Sequence, residues 1–249
     1  KFNKMLGRMK VLDDSRQEFV SNVSHELKTP LTSIINYVDL LEKEELSNET
    51  AEGYLEVLER QSNRLKKLIE DLIEASKAST GNLAVHLEKL EAGVSVVQIV
   101  GEFEDKLNAA DLTLLIQKPE TPVYVMADGR HFWRVIDNLM NNICKYAQPG
   151  TRVYVDLREN GGQVELIFRN TSRYPLNISS EELMERFVRG DESRNTEGSG
   201  LGISIAKSLM ELMGGSFMLY VDGDLFKVVL GFAQMEEEKE PLDEDKSGK

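Results

Sequence analysis

The chain of 249 residues carries a formal net charge of −13, with 41% hydrophobic residues and a single cysteine. This length and composition are typical of a globular protein, and we expect two domains. One cysteine excludes an internal disulfide framework and a cysteine metal cluster, and the acidic balance disfavours nucleic acid, whose phosphates repel a negative surface. No apolar run approaches the roughly 18 residues of a membrane span.

The first third of the chain has the pattern of two long helices. Apolar or small residues recur at steps of three and four over residues 55–76, which is a heptad seam, and a similar seam covers residues 5–41. The polar segment between the seams offers Ser47 or Asn48 as a cap for the second helix. A hairpin of two such helices buries one face of each and needs a partner, so the pattern favours a homodimeric four-helix bundle. The alternative is an antiparallel coiled coil packed on the C-terminal domain of its own chain.

From about Gly81, short β-branched runs alternate with helical patterns. Strands are predicted at 113–117, 123–126, 152–158, 164–169, 216–221 and 226–231, and helices at 95–108, 129–146, 180–187 and 203–213. Turn signals at 160–162 and 222–224 predict two hairpins. This order favours an α+β sandwich with helices on one face of a mixed sheet. The segment from Glu236 has seven acidic and three basic residues, so we expect a disordered tail.

His25 is the candidate nucleophile. On a regular helix it lies roughly 200° from Val23 of the apolar stripe, so it faces solvent, and Thr29 shares its face one turn later. Glu26 can reach the imidazole from the side, which suits a nucleophile with an acid/base neighbour. Taken alone, an exposed histidine is more often an ordinary surface residue. Because the seam continues beyond Pro30, we expect a kinked helix rather than a helix break.

Two further segments suit a nucleotide. Asn138, Asn142 and Lys145 share a face of the predicted helix 129–146, where amide oxygens suit Mg²⁺ and a lysine can neutralise phosphate. The alternative there is a solvated helix surface. Alternating glycines at 198–202 precede an amphipathic helix, and their backbone amides can approach a phosphate. The spacing fits neither a Walker loop nor a dinucleotide fingerprint, and a flexible linker is the alternative. The polar stretch before the glycines suits a mobile lid, from which three arginines could reach phosphates: Arg186, Arg189 and Arg194.

These segments, in this order, resemble the motifs of the sensor histidine kinases of bacterial two-component systems. FVSNVSHELKTPLTSI is similar to the H box of that family, DNLMNNICKYA to the N box, ERFVRGDESR to the phenylalanine box, and GSGLGISIAKSLMELMGG to the second glycine box. The resemblance covers about residues 9–233. It implies an all-α helical hairpin forming a dimeric four-helix bundle over residues 1–80, then an ATP-binding α+β sandwich of the histidine kinase, gyrase and chaperone type over residues 81–235, with the acidic tail at 236–249.

The resemblance also implies a role for individual residues. His25 would accept the γ-phosphoryl group of ATP, Glu26 would orient and activate the imidazole, and Thr29 would place a water that dephosphorylates the partner. Asn142 would bind Mg²⁺. The implied nucleotide-binding set is Asn138, Asn142, Lys145, Tyr146, Asn170, Phe187, Arg189, Gly198, Gly200, Leu201 and Gly202. The implied partners are a second copy of the chain and the receiver domain of a response regulator. Because the chain begins with Lys1, we expect a cytoplasmic fragment of a protein anchored in the bacterial cell membrane.

One motif departs from the family pattern. The first glycine box usually reads Asp-x-Gly-x-Gly, whereas the matching segment RNTSRYP has Asn170, Ser172 and Tyr174 at those positions. An asparagine carbonyl still accepts a hydrogen bond from the adenine amino group, but a neutral acceptor binds more weakly than a carboxylate. The loss of both glycines should stiffen or reshape the loop. A non-enzymatic signalling scaffold with a degenerate nucleotide site is therefore the alternative to an active autokinase.

Overall fold

The N-terminal part of the chain is a helical hairpin. The computed structural model describes residues 2–43, 47–79, 83–176, 183 and 200–235; side chains of residues 2–19, 43 and 79 are outside that description. Helix α1 spans Phe2–Lys43 and helix α2 spans Asn48–Ser79. The rings of Tyr37 and Tyr54 meet edge to face across the hairpin, with centroids 5.2 Å apart. Ser47 caps α2, because its Oγ accepts from the backbone N–H of Thr50 at 3.3 Å, as the sequence predicts.

Helix α1 continues through Pro30, which is buried. Proline has no N–H, so it cannot donate to the carbonyl of Glu26, four residues earlier. The helix is nevertheless not interrupted, so the expectation of one helix rather than a break is confirmed, and the expected kink stays a prediction. The hairpin leaves an apolar surface exposed on both helices, formed by Val20, Leu31, Ile35 and Val38 of α1 and by Leu55, Ile69 and Ile73 of α2.

The residues of α2 that are buried within this chain lie on a face beside the predicted seam. Leu55 and Ile69 of the predicted seam are exposed, whereas Leu68 and Ala75 are buried. Ala75 joins the hydrophobic core of the C-terminal domain, and α2 packs against a helix of that domain, Gly202–Leu212. The hairpin is therefore docked on the C-terminal domain of its own chain, and the homodimeric four-helix bundle expected from the sequence stays a prediction.

The C-terminal domain is built around a mixed five-stranded sheet. Its elements are β1 Glu88–Glu91, α3 Ala92–Gly101, α4 Glu104–Ala109, β2 Leu112–Gln117, β3 Tyr124–Ala127, α5 Gly129–Tyr146, β4 Thr151–Asn160, β5 Gln163–Thr171, α6 Gly202–Leu212, β6 Ser216–Asp222 and β7 Leu225–Ala233. The strand order is β2-β4-β5-β7-β6, with β2 and β4 parallel and the other neighbours antiparallel. Strands β1 and β3 form a separate antiparallel pair. The α+β sandwich expected from the sequence is confirmed.

The core lies between α3, α5 and α6 and one face of the sheet. Side chains alternate along the strands, as in β4, where Val153, Val155 and Leu157 are buried and the residues between them are half-buried. The rings of Phe132 on α5 and Phe232 on β7 have centroids 5.6 Å apart, which joins the helix layer to the sheet. This packing holds α5, the helix with the candidate nucleotide residues, rigidly over the sheet.

The predicted strands match the observed ones to within two residues at each end, and both hairpins are confirmed. Gly161, Gly162 and Gly223 have φ values of 59°, 81° and 55°, which glycine adopts readily. The predicted helix 95–108 is wrong as a single helix. It starts earlier and splits into α3 and α4 after Gly101, where the chain turns and buries Phe103. Strand β1 was not predicted, and the predicted helix 180–187 and acidic tail fall outside the described residues apart from Leu183.

Candidate functional site

A cavity of about 940 Å³ lies between α2 and the C-terminal domain. Its walls come from α2, α4, α5, the segment that follows β5, and the start of α6. The predicted residues that line it are Asn138, Asn142, Lys145, Tyr146, Asn170, Gly200 and Gly202. Three segments far apart in the sequence therefore meet at one cavity, which is large enough for a drug-sized or nucleotide-sized ligand.

Helix α5 supplies the largest share of these residues. Asp128 caps its N-terminus by accepting from the backbone N–H groups of Arg130 at 3.0 Å and His131 at 3.2 Å, and it also accepts from the N–H of His86 at 2.9 Å. Burial alone raises the pKa of Asp128, but the backbone bonds from His86, His131 and Arg130 together with the charge of the His131 ring hold the pKa below its ordinary value. Leu139 and Ile143 are buried in the core, so the face with Asn138, Asn142 and Lys145 is presented to the cavity.

Two buried amides in the cavity wall have polar atoms without a partner among the described residues. These are Nδ2 of Asn138 and Oδ1 of Asn170, whose residues are only 8% and 4% exposed. Asn141, between Asn138 and Asn142, differs, because its Nδ2 donates to the carbonyl and carboxylate oxygens of Asp137 at 2.8 Å. A buried polar atom left unpaired costs about 1–3 kcal/mol, so the two amides indicate a polar ligand.

The start of α6 closes on Asn138. A Cβ atom at Gly202 would lie 3.4 Å from Oδ1 of Asn138, so the glycine allows a close approach of backbone to this amide. Gly200 has a φ of 68°, a conformation that favours glycine. Leu201 between them does not line the cavity; it is 1% exposed and belongs to the core. The glycines thus shape the wall, and Leu201 anchors it.

Cations and an aromatic ring border the same cavity. The Nζ atom of Lys145 lies 4.6 Å from the ring centroid of Tyr146. The Nζ atom of Lys106 donates to Oδ1 of Asn141 at 3.1 Å. Burial raises the pKa of the Cys144 thiol, so this thiol is a packing residue rather than a reactive group. The described residues contain no cluster of three or more His, Cys, Asp or Glu side chains that could hold a metal ion.

The loop that lacks the family glycines is held by ordinary backbone contacts. The N–H of Ser172 donates to the carbonyl of Asp224 at 2.7 Å, and the N–H of Tyr174 donates to Oγ of Ser172 at 3.3 Å. Among the described non-glycine residues only Asp111 has a positive φ, so Ser172 and Tyr174 adopt conformations open to any residue. The glycine replacements are therefore accommodated without backbone strain.

The candidate nucleophile lies on α1, outside this cavity. His25 is exposed, as predicted, and lines a separate cleft of about 500 Å³ together with Thr29. The hydroxyl of Thr29 donates to the carbonyl of His25 at 3.1 Å. The carboxylate of Glu26 lies 3.6 Å from Nη2 of Arg64 on α2. Among the described residues, those lining the larger cavity come from α2 and the C-terminal domain but not from α1.

Comparison with known proteins assigns both halves of the chain. Residues 15–81 match the His Kinase A (phospho-acceptor) domain, and residues 127–240 match the histidine kinase-, DNA gyrase B- and HSP90-like ATPase. The sensor protein kinase WalK of Staphylococcus aureus is 30% identical over 210 residues, which cover 82% of this chain and 50% of WalK. The chain belongs to the sensor histidine kinases of bacterial two-component systems. It spans 50% or 34% of the length of the curated WalK sequences that it matches.

Solved histidine kinases share its fold. Full-length ShkA in complex with AMPPNP matches with a TM-score of 0.64 and 19% identity, over 88% of this chain and 47% of ShkA. The histidine kinase ThkA in complex with the response regulator protein TrrA matches with a TM-score of 0.66 and 16% identity, over 95% of this chain and 66% of ThkA. No helix in the described part of this kinase chain is long and apolar enough to cross a membrane.

The remaining predicted residues lie outside the described part of the kinase chain. These are Phe187, Arg189 and Gly198, with the lid arginines Arg186 and Arg194. Sequence reasoning also missed one wall of the cavity, which is formed on α2 by Asn63, Arg64, Lys67, Leu68 and Asp71. The available signal was a second stripe on α2, in which Leu68, Ala75 and Ala78 recur beside the seam at steps of seven and three.

A charged network joins α2 to α5 next to that wall. The guanidinium of Arg134 pairs with Asp71, with Glu74 at 3.0 Å and with Asp137 at 3.5 Å. Burial works against the charge on Arg134, but the carboxylates of Glu74, Asp71 and Asp137 raise its pKa above the ordinary value. Arg134 lies one turn before Asn138, so this network joins α2 to α5 beside the cavity face that carries Asn138, Asn142 and Lys145.

Proposed function

We propose that this chain is the catalytic portion of an ATP-dependent protein-histidine autokinase. In this proposal His25 accepts the γ-phosphoryl group of ATP and passes it to an aspartate of a response regulator. The observation that carries the proposal is the presence, in one chain, of an exposed His25 on a phospho-acceptor domain and of an ATPase cavity with unpartnered Asn138 and Asn170. The complex of ShkA with AMPPNP supports a nucleotide as the ligand of this fold.

The cavity residues suit the parts of ATP. Oδ1 of Asn170 is a buried acceptor that suits the adenine amino group, and Tyr146 lines the same cavity and is assigned to border the base. Asn138 and Lys145 line the same cavity and suit the phosphates, one as a neutral donor and the other as a cation. By resemblance, the nucleotide set extends to Phe187, Arg189, Gly198, Gly200, Leu201 and Gly202.

We assign the metal-binding role to Asn142, whose amide oxygen is a hard ligand of the kind Mg²⁺ accepts. It lines the cavity beside Asn138 and Lys145, so a metal held there would be shared with phosphate oxygens. When bound, Mg²⁺ neutralises charge on the phosphates. The protein contributes a single amide ligand, and the cation therefore binds together with the nucleotide.

The residues on α1 divide the chemistry between them. A neutral ring nitrogen of His25 attacks the γ-phosphorus, a nitrogen–phosphorus bond forms, and the bond from phosphorus to the β,γ-bridging oxygen breaks as ADP leaves with the electron pair. The proton on the other ring nitrogen passes to the carboxylate of Glu26. Thr29 shares the exposed face of His25 and is assigned to hold a water that removes phosphate from the regulator.

The partners follow from two exposed surfaces. The cleft at His25 is open to a receiver domain, and the complex of ThkA with the response regulator protein TrrA supports a partner of that class. The apolar surface that runs from Val20 to Val38 on α1 and includes Leu55 and Ile69 on α2 suits a second copy of the hairpin. We therefore include a homodimer in the proposal.

A non-enzymatic signalling scaffold is the second candidate. It is favoured by the loss of the family aspartate and glycines at Asn170, Ser172 and Tyr174. Calorimetry with AMPPNP and Mg²⁺ decides between the candidates. Micromolar binding that is lost in Asn142→Ala supports the kinase, whereas the absence of binding to the wild type supports the scaffold. Incubation with labelled ATP and Mg²⁺ then tests the transfer: the wild type should be labelled, and label no greater than that of His25→Ala refutes the autokinase.

A further inference from the structure

Arg64 connects the two parts of the site. Its Nη2 atom lies 3.6 Å from Oε2 of Glu26, the residue next to His25, and its side chain also lines the large cavity. The two side chains are only 21% and 18% exposed, so the pair is largely withdrawn from water. Arg64 therefore contacts the carboxylate beside His25 and also lines the cavity proposed to hold the nucleotide.

The surroundings of Arg64 in the cavity are cationic. Lys67 lies one turn further along α2, and Lys106, Lys145 and Arg173 line the same cavity from the ATPase domain. The one carboxylate that lines it among the described residues, Asp71, is engaged by Arg134. A triphosphate in this cavity would meet Arg64 as a member of a cationic wall, and the planar fork of a guanidinium matches phosphate oxygens.

Arg64 lies where Glu26 and the phosphates of a bound nucleotide could both reach it. We propose, building on the proposed function, that Arg64 is a positioning residue that exchanges partners: it holds Glu26 in the arrangement seen here and turns to the phosphates when ATP binds. The exchange releases the carboxylate of Glu26 to accept the imidazole proton of His25. Binding of ATP thereby prepares the acid/base residue at the neighbouring helix.

Exchange of partners by Arg64 and a purely structural ion pair between α1 and α2 predict opposite effects on nucleotide affinity. If Glu26 competes with phosphate for Arg64, removing the charge of Glu26 must tighten nucleotide binding, and this gain must vanish when Arg64 is absent. If the pair merely joins the two helices, removing either partner weakens the hairpin and cannot improve binding. The sign of the Glu26→Gln effect therefore separates the two roles.

The test is a double-mutant cycle in AMPPNP affinity, measured by calorimetry with Mg²⁺ on the wild type, Glu26→Gln, Arg64→Ala and the double variant. We expect Arg64→Ala to weaken binding about tenfold, as for loss of one charge-assisted contact. We expect Glu26→Gln to tighten it about threefold, in the range of a partly exposed ion pair. The double variant should bind like Arg64→Ala, and Arg64→Lys should recover part of the affinity.

Adenosine is the control ligand. It lacks the phosphates of AMPPNP, so its affinity should be the same in all four proteins. Thermal unfolding followed by circular dichroism checks that each variant retains its helices. Unchanged or weaker AMPPNP binding in Glu26→Gln overturns the inference, and so does wild-type affinity in Arg64→Ala. The cycle measures binding alone, so it can succeed even if His25 is never phosphorylated. Absence of AMPPNP binding by the wild type overturns both the inference and the proposed function.

Discussion

The docking of α2 on the ATPase domain depends on Arg134, and its removal is a quantitative test of the fold. Arg134→Ala removes the cation that the carboxylates of Asp71 and Glu74 on α2 contact on α5. Removing one partner of a buried ion pair costs about 3–5 kcal/mol. Because the side chain of Arg134 is 20% exposed while that of Asp71 is 7% exposed, we take the lower end, about 3 kcal/mol.

This cost should appear in the docking of the two domains rather than in the core of either one. A change of about 3 kcal/mol shifts the equilibrium between docked and undocked arrangements roughly 100-fold. Amide hydrogen exchange tests this, since the buried side chains of Leu68 and Asp71 lie where α2 meets the ATPase domain. We expect faster exchange there in Arg134→Ala, with unchanged exchange in β4 and β5. Arginine does not titrate within about one pH unit of pH 7. The difference in amide exchange between Arg134→Ala and the wild type should therefore be the same throughout that range.

Arg158→Ala is the matched control. Arg158 on β4 pairs with Glu165 on the neighbouring strand β5 at 3.0 Å, and its side chain is 58% exposed. Its loss should therefore have little effect on stability and none on docking. Exchange near Asp71 that is equal in Arg134→Ala and Arg158→Ala would refute the reasoning. Replacing the two α2 partners of Arg134 in the background of Arg134→Ala, by Asp71→Asn and Glu74→Gln, should restore part of the protection, because fewer charges are then left buried.

Three further predictions follow from single contacts. Asn170→Asp should tighten ATP binding about tenfold by restoring a charged acceptor, and calorimetry that finds no gain would contradict the assignment of Asn170 to adenine. Asp128→Ala should destabilise the ATPase domain by about 1–2 kcal/mol in urea unfolding at pH 7. Because the pKa of Asp128 is lowered in the folded chain, its stabilising contribution is present above its ordinary pKa and is lost as the pH falls below about 4. A free-energy difference between wild type and variant that is as large at about pH 3 as at pH 7 would contradict this role. Thr29→Ala should leave autophosphorylation intact and abolish loss of phosphate from the regulator, and equal loss rates in wild type and variant would rule out that role.

The features that were predicted correctly depend on residues close together in the sequence. Helix 129–146 was predicted at its observed bounds, because a strong apolar period follows the capping residue Asp128. Both hairpins were predicted because their turns require glycine with positive φ. The exposure of His25 followed from its position opposite the apolar stripe of α1.

Long-range contacts explain what was missed. The split between α3 and α4 lets Phe103 enter the core, and nothing within the segment 95–108 marks where that contact forms. Strand β1 exists because it pairs with β3, which lies more than 30 residues later. The α2 wall of the cavity was missed for the same reason, since Arg64 and Asp71 acquire their roles only when α2 docks on α5.

The central claim is that His25 receives phosphate from a nucleotide in the ATPase cavity, and the most direct measurement is the chemical identity and position of that phosphate. Wild-type chain incubated with ATP and Mg²⁺ should carry one phosphate that is labile in acid and stable in base, as expected for a nitrogen–phosphorus bond. Tandem mass spectrometry under neutral conditions should place it on the peptide that contains His25, and Asn142→Ala should prevent its formation. Phosphate that is stable in acid, maps to another residue, or persists in His25→Ala would contradict the account.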